Sequence, residues 1–523
     1  MQENSLNGRD IATDSDITRG TRSLFVTQIF STLSYAILYS TLTLFGTNVL
    51  KLPTDQVLAL TGSFLAFNYG LHFLGGYMGG RFISNRLLFS MAMGIQVIAA
   101  IFLVGTVAVP FDLRLTFMML GLAIFLTGSG INVTCMNSMV TQLFDDPKDG
   151  RREKAFLWNY SGMNVGFFIG FGLAGYYTNT NNFGMLFALG GIANIIAIVL
   201  VVANWKVVKD RDTFLTEGLK NGTTTLFKQF MKGIGVIIIT IIVMIILIHH
   251  ANISNAVITA IFLITIIGVL FLAATRKSSG ERARMIAYVF LLLAALVFWV
   301  LYQLAPLALM YFIDYNIKMT ILGIQIAPQW VSNINTVVIV VGGPVMAWLL
   351  QRARAKGKKV SLPFLFGLAL IFIGVGFGIL PFGIKLAGAG LVGFSWIFWS
   401  YILQSFGELC ISPIGYAAIG RLAPRKLQNL MMGLWCMMTG VAAIGANYLS
   451  QIAVGNFTPE QLQNTVLTNP HYSSVFGWVG VLSIVIGFIM FIFIRKLNKL
   501  IDHAEVSVEE LGAVAMENKL ARE

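Results

Sequence analysis

Fourteen apolar runs constrain this chain more than any other feature. They cover residues 23–47, 57–80, 87–109, 115–143, 155–177, 183–205, 231–250, 252–275, 285–313, 326–351, 362–381, 387–420, 428–451 and 473–497. Each has the length of roughly 20 residues that an α-helix needs to cross a hydrocarbon core. In lipid, backbone polar groups must be satisfied within the segment, so such runs read as helices. Only 11% of the residues are charged, whereas soluble domains carry about a quarter, and the mean hydropathy is +0.78. The expected fold class is an all-α polytopic membrane protein with 14 transmembrane helices.

The charges between the runs give an orientation. The odd-numbered connections hold Lys51, Arg114, Lys318 and Lys385, four of the 36 Lys and Arg; the other 32 lie in the tails, the even-numbered connections and the run ends that adjoin them (Lys232, Arg495 and Lys496). Positive charge marks the cytoplasmic side, so both termini are expected inside, which requires an even number of spans. The net charge of +13 is therefore a topology signal and not a nucleic-acid surface. The first 20 residues are polar and mixed in charge, so no cleavable signal peptide is expected, and the first run serves as an uncleaved one. Cys135, Cys410 and Cys436 all fall inside apolar runs, at spacings of neither a disulfide framework nor a zinc site.

The expected division is a cytoplasmic tail over 1–22, a six-helix bundle over 23–205, a cytoplasmic linker over 206–230, an inserted hairpin over 231–275, a second six-helix bundle over 285–497 and a cytoplasmic tail over 498–523. A 6 + 2 + 6 layout suggests two pseudo-symmetric bundles with a site at mid-membrane. The hairpin is almost pure Ile, Val, Leu and Ala and reads as lipid-facing, with His249 and His250 at the interface.

One acid lies deep in a run: Glu408, within YILQSFGELCISP (401–413). An ionised side chain at the bilayer centre costs about 2.5–3.5 kcal/mol on insertion scales, which makes a lone carboxylate there a functional candidate. It is either a protonated acid bonded to a neighbouring helix or a group facing a polar cavity, where it meets a cation or a proton. Other runs carry uncharged polar residues: Gln28, Ser31, Thr32, Tyr35 and Tyr39 on one face of the first, Asn68, Tyr69 and His72 in the second, Asn159 and Asn164 in the fifth, Trp299, Tyr302 and Gln303 in the ninth, and Asn333 and Asn335 in the tenth. Each can simply link helices. Their density in both halves favours a hydrated pathway. His72 is either a proton carrier or a neutral hydrogen-bond partner. Gly162, Gly166 and Gly170 have the spacing of a close helix contact. No paired carboxylates, HExxH, Gly-x-Ser-x-Gly or CxxC pattern is present, which argues against an enzyme and against a metal site.

The stretch FGELCISPIGYAAIGRLAPRKLQNLMMGLW (406–435) resembles the tenth and eleventh helices of the proton-dependent oligopeptide transporters of the major facilitator superfamily. IAPQWVSNINTVVIVVGGPVMAWLL (326–350) resembles that family's eighth helix, VFWVLYQ (297–303) and YFIDYN (311–316) its seventh, and WNYSGMNVGFFIG (158–170) its fifth. GGYMGGRFISNR (75–86) is a worn copy of the loop after its second helix, with Gly80 where the family has Asp. The resemblance implies a major facilitator fold plus the inserted hairpin, and a monomer in a bacterial inner membrane. It also implies a peptide-type substrate, no cofactor beyond a proton gradient, and a mid-membrane site. In that site Glu408 meets the substrate ammonium and Ser412 sits one turn on. Asn335, Asn164, Trp299, Trp435, Tyr35 and Tyr69 match other pocket positions, with Gln303 and Tyr39 at two more. Glu408 and His72 are the candidates for proton coupling.

The departures from the family are equally informative. Its first-helix E-x-x-E-R motif reads Gln28, Ser31 and Thr32 here, and a later Arg of that helix is Tyr39. The Lys of helix 4 aligns with Val133 and the Glu of helix 7 with Gln303. Losing acids and bases together leaves no buried charge uncompensated. Such a site is expected to favour an ammonium group without a free carboxylate. Three readings follow: an oligopeptide-type transporter with altered substrate and coupling, a conventional proton–peptide symporter using other carboxylate-binding groups, and a non-transporting receptor that keeps the fold.

Overall fold

A computed structural model describes residues 13–520, apart from 145–148, 212, 277, 322, 358–359, 423–426, 456 and 459. The APRK stretch of the motif over 406–435 and most of the N-terminal tail thus lie outside the described residues. The chain is helical almost throughout. Its helices are α1 (Asp14–Asn48), α2 (Thr54–Gly70), α3 (His72–Met78), α4 (Asn85–Ala108), α5 (Phe111–Gln142), α6 (Gly150–Asn179), α7 (Phe183–Ala203), α8 (Phe214–Lys220), α9 (Leu226–Ile248) and α10 (Ala251–Thr275). They continue with α11 (Ser279–Tyr302), α12 (Ala308–Asn316), α13 (Pro328–Ala355), α14 (Leu362–Gly378), α15 (Leu380–Ala387), α16 (Phe394–Leu422), α17 (Gln428–Val454) and α18 (Thr465–Leu520). A two-residue antiparallel pair, β1 (Thr320–Ile321) and β2 (Ile324–Gln325), precedes α13.

Each apolar run falls on helix, and among the described residues twelve helical stretches are long and apolar enough to cross a membrane. The runs on α6 and α16 are not among the twelve. Three runs are interrupted, the eleventh at Ile379 between α14 and α15. The second breaks at Leu71, where Gly130 of α5 comes so close that a Cβ on it would lie 2.4 Å from the Leu71 Cβ. The ninth breaks over residues 303–307. Pro306 lies in that break; it has no N–H to donate and its ring collides with the preceding turn. The expectation of one helix over 285–313 is corrected accordingly. The apolar side chains of α9 and α10 are largely uncovered, with Ile239 62% and Phe271 67% exposed. In a membrane protein such faces meet lipid tails.

Contacts divide the chain into two compact units, residues 1–45 with 67–251, and residues 46–66 with 252–523. In the first unit α4 packs on α5 and α7, α3 on α5, and α9 on α5. The glycine stripe of α6 meets α1: a Cβ at Gly162 would lie 2.6 Å from the Phe25 carbonyl oxygen, at Gly166 2.5 Å from that of Ile29, and at Gly170 2.5 Å from the Ala36 Cβ. The three glycines therefore let the two backbones touch. In the second unit α14 packs on α18 and α16, α13 on α16, and α11 on α17 and α18.

The loop that resembles the family's after helix 2 shows what replaces its missing acid. Gly80 has φ +68, a conformation that suits glycine. The carboxylate at this corner comes from Asp210, beyond α7. It accepts from the Asn85 backbone N–H at 2.9 and 3.1 Å and from Asn85 Nδ2 at 3.2 Å. Ser84, the N-cap of α4, makes no side-chain bond, so Asp210 satisfies the first N–H of that helix and complements its dipole. Burial pushes the Asp210 carboxyl up, against the bonds from Asn85 and the charge of Arg86.

Candidate functional site

Glu408 sits midway along α16 and is 9% exposed. Ser405 is one turn earlier, so both side chains leave the same face of the helix. α13 packs on α16 and brings Asn335 to that face. Asn335 Nδ2 donates to Glu408 Oε2 at 2.8 Å and to Ser405 Oγ at 3.0 Å. The Ser405 hydroxyl in turn donates to the Tyr401 carbonyl at 2.7 Å. From α11, the Tyr302 hydroxyl reaches Asn335 Oδ1 at 3.5 Å and also bonds Glu408. Among the described residues no Lys, Arg or His pairs with Glu408. Its carboxyl group is held by an amide and a phenol.

Trp299 lies one turn before Tyr302–Gln303 on α11, its ring edge-on to Tyr302 at 5.1 Å. The indole N–H is buried and makes no hydrogen bond. Gln303 closes α11 as its C-cap residue, fully buried, and neither amide atom has a partner. Ser412, one turn beyond Glu408, also has a buried hydroxyl without a partner. A side chain or ligand that bonds these atoms would relieve a desolvation cost of about 1–3 kcal/mol each. Trp435 is placed elsewhere. It packs on Gly415, where a Cβ would lie 2.2 Å from its ring, and against Phe366 at 6.2 Å. Gly415 is two turns from Glu408, about 10 Å along α16.

The remaining candidates belong to the first unit. Tyr35 and Tyr39 adjoin on α1 with ring centroids 5.8 Å apart and planes tilted by 56°, and Tyr39 also meets Phe171 of α6 at 6.0 Å. The hydroxyls of Tyr35 and Tyr69 interact. Tyr69 on α2 stands edge-on to His72 at 5.9 Å. His72 Nε2 is buried without a partner, and among the described residues no carboxylate pairs with it. Asn164 Nδ2 turns back to the Tyr160 carbonyl of its own helix at 3.0 Å. The positions that replace the family's charged motif form a closed neutral set: Gln28 Nε2 donates to Thr32 Oγ1 at 2.9 Å, and Ser31 Oγ to the Gln28 carbonyl at 3.2 Å.

Ser405 and Tyr302 are the members of the Glu408 cluster that were not singled out as site residues from the sequence. The i−3 spacing from Glu408 marks Ser405, and the polar face of the ninth run marks Tyr302.

The class these features define is a polytopic helical membrane protein with a buried carboxylate held by neutral donors. The family model described as the POT family matches residues 87–464, and the chain belongs to that family. It is 26% identical over 498 residues to the dipeptide and tripeptide permease A of Klebsiella pneumoniae (strain 342), covering 94% of this chain and 95% of the permease. It is 28% identical over 490 residues to the protein of that name from Citrobacter koseri, covering 92% and 93%. A crystal structure of a peptide transporter POT in complex with sulfate shares the fold with a TM-score of 0.77, 24% identity and coverage of 92% and 96%. That of a POT family transporter in complex with 5-aminolevulinic acid does so with a TM-score of 0.77, 20% identity and coverage of 92% and 97%. These relatives are permeases and not enzymes.

Proposed function

We propose that this chain is a secondary active transporter of a bacterial inner membrane. It moves di- and tripeptides or small amine-bearing metabolites by alternating access, and Glu408 receives the substrate ammonium or a proton. The observation that carries this reading is the Glu408–Asn335–Tyr302 cluster, a buried carboxylate with no counter-charge among the described residues. Such a group is costly unless a cation or a proton completes it. Both termini lie on the cytoplasmic side in this reading, and the basic asymmetry of the connections supports that orientation. Trp299 offers a cation–π face worth about 0.5–2 kcal/mol to an ammonium.

The loss of the family's cations at Thr32, Tyr39 and Val133 supports a preference for ligands without a free carboxylate. Uptake into proteoliposomes tests this directly with a free dipeptide, its C-terminal amide, its N-acetyl form and a simple amine. The amide and the free dipeptide should enter at rates within a few-fold of each other, and acetylation should abolish entry. If the N-acetyl peptide enters as fast as the free one, Glu408 is not the ammonium site. Entry of only the free dipeptide would show that neutral groups hold its carboxylate.

A further inference from the structure

Three polar side chains meet in the apolar interior of the first unit, none of them among the candidate pocket residues. Ser34 comes from α1, Gln96 from α4 and Asn194 from α7, and their exposures are 6%, 1% and 0%. The Ser34 hydroxyl lies 3.1 Å from Gln96 Oε1 and 3.1 Å from Asn194 Oδ1. A hydroxyl has one hydrogen to donate, so it serves only one of the two oxygens. Gln96 Nε2 and Asn194 Nδ2 are buried and make no hydrogen bond. Turning an amide end for end only exchanges which of its atoms faces Ser34.

The same three residues line a small cavity whose other walls are apolar, among them Leu38, Leu103, Phe125 and Phe187. About 10 Å³ of it is open to the centre of a water molecule. On that measure a site holds one water from about 10–15 Å³ upward, provided that two to four polar groups face it. The cavity is therefore sized for a single water. A hard cation takes six or more oxygens, and three neutral side chains do not supply them. A dry cavity would leave two buried amides unpaired, which native interiors avoid.

We propose that this is a resident water site: one water molecule accepts from Gln96 Nε2 and Asn194 Nδ2, donates to Ser34 Oγ, and ties α1, α4 and α7 together. The site needs only the cavity and its three side chains, and so stands apart from the transporter reading. Each of the three helices gives one hydrogen-bonding side chain to a junction in which no charge is buried. Ser34 precedes Tyr35, whose hydroxyl interacts with that of Tyr69. The water thus holds α1 at the residue next to a candidate pocket position.

Hydroxyl-radical labelling of the purified full-length protein by X-ray radiolysis tests the site, because radicals formed from a bound water oxidise the side chains around it where bulk solvent does not reach. Phe125 and Phe187 are 2% and 3% exposed, and Phe262 of α10, 2% exposed, lies outside the cavity. Mass spectrometry should find Phe125 and Phe187 oxidised several-fold faster than Phe262. The excess should disappear in Asn194→Leu, which removes the amide and fills its space, and in Gln96→Leu should the first variant not fold. Equal rates at the three phenylalanines overturn the proposal, as does an excess that survives in the variant. A thermal midpoint raised by sodium chloride and not by potassium chloride, in the wild type and not in the variant, overturns it in favour of a cation.

Discussion

Replacing Glu408 by Gln removes one charge and almost no volume. The fold should survive, because the new amide oxygen can still accept from Asn335 Nδ2, now 2.8 Å from Oε2. Breaking a buried ion pair costs about 3–5 kcal/mol, or two to three and a half orders of magnitude in affinity. Thermal unfolding of the purified protein reads this out. At a ligand concentration of about 100 Kd, binding stabilises the native state by about 2.7 kcal/mol. Unfolding entropy near 2.1 cal/mol/K per residue gives about 1.1 kcal/mol/K for 523 residues. The wild-type midpoint should therefore rise by about 2.5 K with an amine-bearing ligand. In Glu408→Gln a hundredfold weaker Kd leaves about 0.4 kcal/mol, a rise below about 0.5 K. A shift of wild-type size in the variant would refute the reasoning. A lower unliganded midpoint would show that the carboxylate is also structural.

Three other substitutions test the supporting structure. Gly166→Ala should lower the midpoint by about 1–3 K, because the added Cβ would meet the Ile29 backbone and overpacking costs about 1–3 kcal/mol; Gly172→Ala, which meets nothing within 4 Å, is the silent control. Asp210→Ala should strand the Asn85 N–H and amide at a cost of about 1–3 kcal/mol, measured as faster hydrogen exchange in the first turn of α4. Gln303→Leu should raise stability by about 1–3 kcal/mol, since it removes a buried amide without partners, and slow transport if that amide serves the substrate. A fall in thermal midpoint for Gln303→Leu would show that the amide has a partner in the native state.

The helices were legible because lipid dictates their length and composition, so each apolar run found one. Their interruptions were less so. Pro306 signals the break before α12, while at the break at Leu71 the close neighbour, Gly130, lies on another helix. Glu408 stood out because a charge in an apolar run has a calculable cost. Its bond to Asn335 was not derivable from spacing, since the two lie on different helices and only packing brings them together. Ser405 was within reach of the i−3 rule. Asp210 meets Asn85 across 125 residues of chain, a contact that no local pattern encodes.

These contacts bear on coupling. If a proton and an ammonium both need Glu408, they exclude each other there, and a protein with that carboxylate alone can only exchange or equilibrate its cargo. Coupling requires a second group whose proton affinity differs between conformations. His72 packs beside Tyr69, and among the described residues no acid pairs with it to stabilise its cation. A chain that uses Glu408 for both cargo and proton is therefore expected to exchange its cargo, and a substrate-driven proton flux into proteoliposomes would refute that expectation by showing that a second group titrates with the conformational change.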